Sequence, residues 1–299
     1  MQMLSLPRRG VHIRWRNVGI YILLALLLIY LLFPFVWSLS TSFKGFKETY
    51  RASRNLIPRE PTLSNYAFLF FKLPRFPRQL LNSFIVTGGT VILTALLATT
   101  MGYGFARINF RGRDLIFYLV IVSMFIPRSG GLMAQYELMD FLKLRNSLLG
   151  LILAFSAGLP VSMFIMRQTF LYVPRELEEA AAIDGASLWQ IFWKVALPMC
   201  TSGLVVVCIL KFVQVWGDYL FTMTMIDDAD KFTAGVGVAI VKSFVAPDTT
   251  STGTGQTVPI APDGVLGAAN VVVMAPVILL YLVLQKWFVR GLTEGILKF

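Results

Sequence analysis

The chain has 299 residues, of which 56% are hydrophobic and only 14% are charged, and its mean hydropathy is +0.69. Soluble domains carry about 25% charged residues, so this composition excludes an ordinary soluble globular domain. Apolar runs of about 20 residues recur along the whole length, and that length crosses the hydrocarbon core of a bilayer. We therefore predict an all-α membrane protein with a single polytopic domain.

The net charge of +11 would favour nucleic acid as the partner of a soluble protein. In a membrane protein, basic flanks bind anionic lipid headgroups instead, so we expect membrane lipid and no nucleic acid as a partner. The single histidine, His12, lies in a basic N-terminal tail, which argues against catalysis by histidine and against a metal cluster. We expect no catalytic site, no metal site and no structural disulfide between Cys200 and Cys208.

Six apolar segments are predicted to span the membrane, within a transmembrane domain of residues 18–288 flanked by tails of residues 1–17 and 289–299. The first segment is too long for a signal peptide and no small-residue cleavage site follows it, so it is expected to remain as an anchor. Pro160 inside the fourth segment predicts a kink. The predicted spans are residues 18–37, 83–105, 115–126, 148–170, 202–226 and 265–288.

The connections between these spans differ in character. Residues 38–81 form a long polar connection, in which the short aromatic run 66–72 is expected to lie in the membrane interface. Residues 128–147 are predicted to be a loop with a short helix at 134–142. Residues 227–264 are predicted to be a polar loop, flexible in its second half because of its Gly, Pro, Ser and Thr content.

Basic residues give only a weak indication of orientation. With a cytoplasmic N-terminus, the two sides of the membrane carry equal numbers of basic residues. The dense groups close to spans, in the N-terminal tail and at Arg107, Arg111 and Arg113, favour placing both termini in the cytoplasm. The basic first outer loop argues against that orientation.

Residues 171–200, between the fourth and fifth spans, carry the local signals of two short helices outside the bilayer. Pro174 suits a first helical turn, acidic residues follow it at the positive end of the helix dipole, and Gly185 can end the helix in a left-handed conformation. Ser187 and Gln190 have the spacing of a capping box for the second helix. These signals alone fit equally well an amphipathic linker lying on the membrane surface.

The residue pattern of this loop resembles the EAA loop of inner-membrane permeases of binding-protein-dependent ABC importers. That pattern has Glu-Ala-Ala, a glycine, an apolar residue and Leu-Pro in a fixed register. The residues in register here are Glu179, Ala180, Ala181, Asp184, Gly185, Ala186, Phe192, Val195, Leu197 and Pro198. Segments along nearly the whole chain also resemble the carbohydrate branch, specifically the maltose-type second permease: residues 41–44, 82–83, 102–107, 112–113, 216–219 and 288–295.

Two departures accompany the resemblance. Gly217 stands where many relatives have asparagine, and the chain ends in Leu297, Lys298 and Phe299 where relatives often end in Val-Lys-Gly. The resemblance implies a permease of six transmembrane helices, with the loop 171–200 as a cytoplasmic coupling helix. It further implies a second permease subunit, two ATP-binding subunits that dock on this loop, and an extracytoplasmic solute-binding protein that delivers a carbohydrate.

The sequence contains no GxxxxGK[ST] phosphate loop, and residues 253–258 only superficially suggest one because they have no lysine. We therefore expect no cofactor on this chain, with ATP and Mg²⁺ bound by partner subunits, and no enzymatic activity of its own. A stand-alone secondary transporter or channel is the alternative. It predicts charged relays in several spans, whereas charges here are concentrated in the fifth.

The fifth span contains Lys211, Gln214 and Asp218, which share one helix face, with Trp216 beside them. A buried lysine is costly in a membrane, so it should be paired or face water. One interpretation is a Lys211–Asp218 contact, or a bond to the partner permease, that only stabilises the bundle. The other is a polar stripe along the substrate pathway, with Trp216 stacking on a sugar ring and Lys211 favouring an anionic substrate.

Overall fold

The computed structural model describes residues 18–50, 55–126, 128–244 and 261–294, and these residues form helices joined by short connections. Among them, the sole β-type pairing is an isolated bridge between Lys44 and Pro61. The helices are α1 (Val18–Ser42), α2 (Phe46–Tyr50), α3 (Ser64–Ala67), α4 (Arg75–Arg107), α5 (Arg113–Val122), α6 (Leu132–Phe141), α7 (Leu148–Ala157), α8 (Pro160–Leu171), α9 (Arg175–Ile183), α10 (Leu188–Ile191), α11 (Leu197–Met199), α12 (Thr201–Trp216), α13 (Leu220–Met225), α14 (Ala234–Phe244) and α15 (Pro262–Glu294).

Several predictions fall outside the described residues. The N-terminal tail with His12, most of the flexible half of the loop before the sixth span, the glycine-rich run 253–258 and the last five residues, 295–299, are among them. Side chains of residues 287–294 are likewise not described, so the resemblance at 288–295 is not placed in the structure.

The predicted all-α membrane fold is confirmed. Helices α1 and α4 and residues Pro262–Lys286 of α15 are each long and apolar enough to cross a membrane. Two further apolar helix pairs are bent at a short break: α7 with α8 by 52°, as the kink at Pro160 predicts, and α10–α11 with α12 by 77°. The predicted third span is the shortest, because α5 ends at Val122 and only a 3-10 turn, Ser123–Phe125, continues it.

Two helices differ in extent from the predicted spans. Helix α4 begins at Arg75 rather than at residue 83, because its polar first turns bind elsewhere: Arg75 and Arg78 form ion pairs with Asp230. The fifth span, predicted to be continuous from 202 to 226, is broken after Trp216. The break has a local cause, because Gly217 caps α12 and the Asp218 carboxylate accepts a hydrogen bond from the first turn of α13.

The loop predicted at 227–264 is partly helical. Its first half contains α14, which buries Ala234, Val236 and Val241 and packs against α4 and α15. In the aromatic run 66–72, which was predicted to lie in the membrane interface, Leu69 is fully buried in a cluster with residues of α15, while Phe71 is 82% exposed. The loop prediction failed because the apolar side chains of α14 pack on helices distant in sequence.

Helix α4 is the centre of the bundle. It packs against α7, α8, α12 and α14, and it buries residues along its whole length. Helix α1, by contrast, packs against α15 and buries only Ser40, Thr41 and Ser42. Residues 171–200, which we call the coupling loop after their predicted role, contact the C-terminal end of α4, where Arg107 forms an ion pair with Glu178.

Candidate functional site

The coupling loop begins with α9, which ends in a glycine-based cap. Gly185 has φ of +85°, its N–H donates to the carbonyl of Ala182, and the N–H of Ala186 donates to the carbonyl of Ala181, both at 3.0 Å. This pair of bonds is the Schellman motif, which requires a residue that tolerates a positive φ. The prediction that Gly185 ends this helix in a left-handed conformation is confirmed.

The second helix begins with the predicted capping box. The Ser187 hydroxyl accepts the N–H of Gln190 at 3.4 Å, and the Gln190 side-chain oxygen accepts the N–H of Ser187 at 2.8 Å. This helix contains Leu197 and Pro198 in its last turn. It passes through a π turn, Phe192–Ala196, and continues through Pro198 to Met199. A proline has no N–H for the carbonyl four residues earlier, and a π turn accommodates that loss.

The predicted coupling residues are presented to the outside. No side chain of α9 is buried, and Glu179, Ala180 and Asp184 are exposed, as is Gly185. Large apolar side chains lie exposed in the same segment, with Ile183 at 87% and Trp189 at 63% exposure. We call this set the coupling surface: Glu179, Ala180, Ala182, Ile183, Asp184, Gly185, Leu188 and Trp189.

Of the remaining predicted residues, Ala181, Ala186 and Leu197 are half-buried and Pro198 is exposed. An exposed apolar surface of this kind is typical of a site that contacts another protein or the membrane.

Glu178 makes a contact that the sequence did not predict. It precedes Glu179 but points inward, because neighbouring residues on a helix are 100° apart. The Nε of Arg107 donates to its Oε1 at 2.8 Å, and the Tyr103 hydroxyl donates to its Oε2 at 3.1 Å. The Arg107 and Glu178 side chains are only 7% and 12% exposed. This ion pair ties α9 to the end of α4.

An apolar cluster supports the same connection. Tyr103 of α4 makes ring contacts with Phe170 of α8 at 5.3 Å and with Phe192 of the second coupling helix at 5.1 Å. The cluster reaches α12 through Val207. We call it the coupling cluster, and its buried members are Ala98, Tyr103, Ala106, Met166, Phe170, Val173, Phe192, Ala196, Cys200 and Val207.

The four predicted pathway residues do not share one environment. Lys211 and Trp216 are buried, Asp218 is half-buried and Gln214 is exposed. The Trp216 indole N–H donates to the carbonyl of Val273 at 2.8 Å, and its ring stacks on Phe212 with centroids 5.4 Å apart. Trp216 therefore packs inside this chain in the described structure.

Both charged residues of the fifth span lie at the ends of broken helices. The Lys211 ammonium donates to the carbonyls of Phe155, at 3.3 Å, and Gly158, at 2.9 Å, where α7 ends. The Asp218 carboxylate accepts the N–H of Thr222 at 3.0 Å, in the first turn of α13. A cation at a helix C-terminus and an anion at an N-terminus are both favoured by the helix dipole.

Residues 91–294 match the family described as binding-protein-dependent transport system inner membrane component. The chain belongs to this family. Among curated proteins, this permease is 33% identical to the sulfoquinovosyl glycerol transport system permease protein SmoH of Agrobacterium fabrum, over 93% of each chain. It is 31% identical to the maltose/maltodextrin transport system permease protein MalG of Vibrio parahaemolyticus, over 97% of this chain and 98% of that one.

A solved structure has the same fold as this permease. It is a chain of a bacterial ABC transporter involved in the import of the acidic polysaccharide alginate, with a TM-score of 0.83 and 22% sequence identity. The match covers 95% of this permease and 100% of that chain. The likeness shows that the helices are arranged as in an ABC transporter membrane subunit.

Proposed function

We propose that this permease is the non-catalytic membrane subunit of an ATP-driven carbohydrate importer, and that its coupling surface binds an ATP-binding subunit. The observation that carries the proposal is the arrangement of α9. Its outer face exposes Glu179, the alanines and the turn at Gly185, while Glu178 on its inner face is bound to α4. Such a helix can receive a partner on one side and transmit displacement on the other.

The proposed assembly contains a second, similar permease, two ATP-binding subunits and an extracytoplasmic solute-binding protein. ATP and Mg²⁺ would be held by the ATP-binding subunits. Because ATP is hydrolysed in the cytoplasm, the coupling surface would face the cytoplasm, together with both termini. Membership of a family of binding-protein-dependent systems supports this assembly over the alternative of a stand-alone transporter or channel.

The proposed mechanism is mechanical. Closure of the ATP-binding subunits would displace α9, and the Arg107–Glu178 ion pair would pass the displacement to α4. The coupling cluster would move α8 and α12 with it, since Phe170 and Val207 belong to that cluster. The bundle would then alternate between inward and outward access as two states whose populations the bound subunits shift.

Carbohydrate is the proposed substrate because relatives that match nearly the whole chain are named for maltose, maltodextrin and sulfoquinovosyl glycerol transport. An acidic carbohydrate is a second candidate, supported by the likeness to an alginate importer. Lys211 does not strengthen it, because its ammonium is bound to backbone carbonyls inside the chain. Uptake of an acidic and a neutral oligosaccharide by Lys211→Met tests the role first predicted for this lysine: equal loss for both contradicts it.

The coupling role is tested by charge reversal on α9 in the reconstituted transporter. Glu179→Lys is expected to insert normally but to lose transport while ATP hydrolysis becomes independent of substrate. Glu176→Lys is the matched control, because it is exposed on the same helix but lies outside the EAA register. Equal effects of the two reversals, or purification of an active permease without an ATP-binding subunit, would contradict the proposal.

A further inference from the structure

The predicted fourth span, residues 148–170, is broken near its middle. Helix α7 ends at Ala157, α8 begins at Pro160, and the two are bent by 52°. Pro160 has no N–H for the carbonyl of Ser156, and the carbonyl of Phe155 accepts the N–H of Gly158, at 3.3 Å, in place of a regular helical bond. When such a carbonyl is buried inside the protein, a further donor stabilises it.

Lys211 is that donor. Its ammonium reaches across from α12 to the carbonyls of Phe155 and Gly158, at 3.3 and 2.9 Å, and the residue is 3% exposed. The charge also lies at the C-terminal end of α7, where the helix dipole is negative. Between the two carbonyls lies Ser156, whose buried hydroxyl has no hydrogen-bond partner among the described atoms.

Carbonyls at the C-terminal end of a broken membrane helix are the ligands with which membrane proteins hold monovalent cations. Here the cation is the ammonium group of Lys211, which belongs to the chain itself. We propose that Lys211 is a built-in cation that fills a monovalent-cation site at the break between α7 and α8 and holds the bend of the fourth span. When the Lys211 side chain is shortened by substitution, the site becomes available to a small primary ammonium ion.

The bend matters because it sets the direction of α8. This helix packs against α4 and α12, and its last turn contributes Phe170 to the coupling cluster. Lys211 is therefore a positioning residue for the coupling end of the bundle. The inference concerns the structure of this chain and does not depend on the substrate or on the partner proposed for the coupling surface.

The test measures the bend directly, in the full-length permease purified with its partner subunits. Spin labels are placed at Leu149→Cys on α7 and Leu171→Cys on α8, both exposed, with Cys200 and Cys208 replaced by alanine. From a rise of about 1.5 Å per residue, complete straightening of the bend lengthens the separation by about 3 Å. Electron–electron distance measurement resolves that shift.

Three substitutions separate charge from hydrogen bonding. Lys211→Met removes both, Lys211→Gln keeps N–H donors without charge, and Lys211→Ala vacates the site. We expect the methionine and glutamine variants to show a longer and broader distance between the two labels. The alanine variant is expected to regain the original distance when n-propylammonium is added. Tetramethylammonium, which has no N–H, is expected not to restore it. An original distance in the methionine or glutamine variant would overturn the proposal, as would equal rescue by both ions.

Assembly provides a second measurement should the neutral variants fail to fold. The proposal then expects Lys211→Arg, which keeps charge and donors, to assemble, and Lys211→Ala to assemble only in n-propylammonium. Assembly of the glutamine variant but not of the arginine variant would overturn it, because hydrogen bonds without charge would then suffice.

Discussion

The coupling loop and the interior of the fourth and fifth spans treat polar residues in opposite ways. In the coupling loop, Glu179 and Asp184 are exposed beside exposed apolar side chains, where we propose that an ATP-binding subunit docks. In the interior, Lys211 and Asp218 are bound at the ends of helices of the same chain. A charged residue in a span therefore need not face a substrate pathway, because its charge can stabilise the backbone at the end of a broken helix.

Glu178 joins the coupling loop to α4 at the centre of the bundle, and breaking its ion pair with Arg107 is expected to have the largest effect on stability. Glu178→Ala leaves Arg107 buried without its carboxylate, which costs about 3–5 kcal/mol in buried pairs. Glu179→Ala is the matched control, since that neighbour is exposed, and its effect on unfolding is expected to be within about 0.5 kcal/mol. Thermal unfolding of the purified complex measures both, and equal losses would contradict the structure.

The next largest effect on stability is expected where α4 packs closely against α8. A Cβ at Gly102 would lie 2.7 Å from the Met166 Cβ and 2.9 Å from the Arg167 backbone nitrogen, so Gly102→Ala should destabilise by about 1–3 kcal/mol. Gly104→Ala, two residues further on, meets nothing within 4 Å and should be neutral or stabilising by up to about 1 kcal/mol. Unfolding midpoints that fall equally in both variants would show that α8 does not pack on α4 as described.

The smallest effects on stability are expected from substitutions in the helix caps of the coupling loop. Gly185→Ala should cost about 1 kcal/mol, because its φ of +85° is unfavourable for a residue with a Cβ, although the site has open space around it. Ser187→Ala should cost about 1 kcal/mol through loss of the capping box. Hydrogen exchange of the amides in α9 and α10 detects both, with protection expected to fall there and not in α4.

The coupling loop could be predicted from sequence because its structure depends on near neighbours. The cap at Gly185 and the box of Ser187 and Gln190 each involve residues within a few positions. The inward face of α9 could not be predicted in the same way. Glu178 binds Arg107, which is distant in sequence, and only the adjacent basic turn hinted at a cation at that end of the bundle.

The interior was harder to predict for the same reason. The spacing of Lys211 and Asp218 predicted one shared helix face, but α12 ends at Trp216, so Asp218 lies beyond it. Spacing also does not show which helix ends the two side chains contact. Helix α14 was missed because its polar surroundings suggested a loop, while its apolar residues pack on α4 and α15. Partners distant in sequence thus determined what the local pattern left open.

The coupling surface is tested most directly by photo-crosslinking in the assembled transporter. A benzoylphenylalanine at Ile183, 87% exposed on the coupling surface, is compared with one at Phe141, 83% exposed at the end of α6. The account predicts that the adduct at Ile183 contains an ATP-binding subunit and that the adduct at Phe141 does not. An ATP-binding subunit captured at Phe141, or none at Ile183, would contradict it.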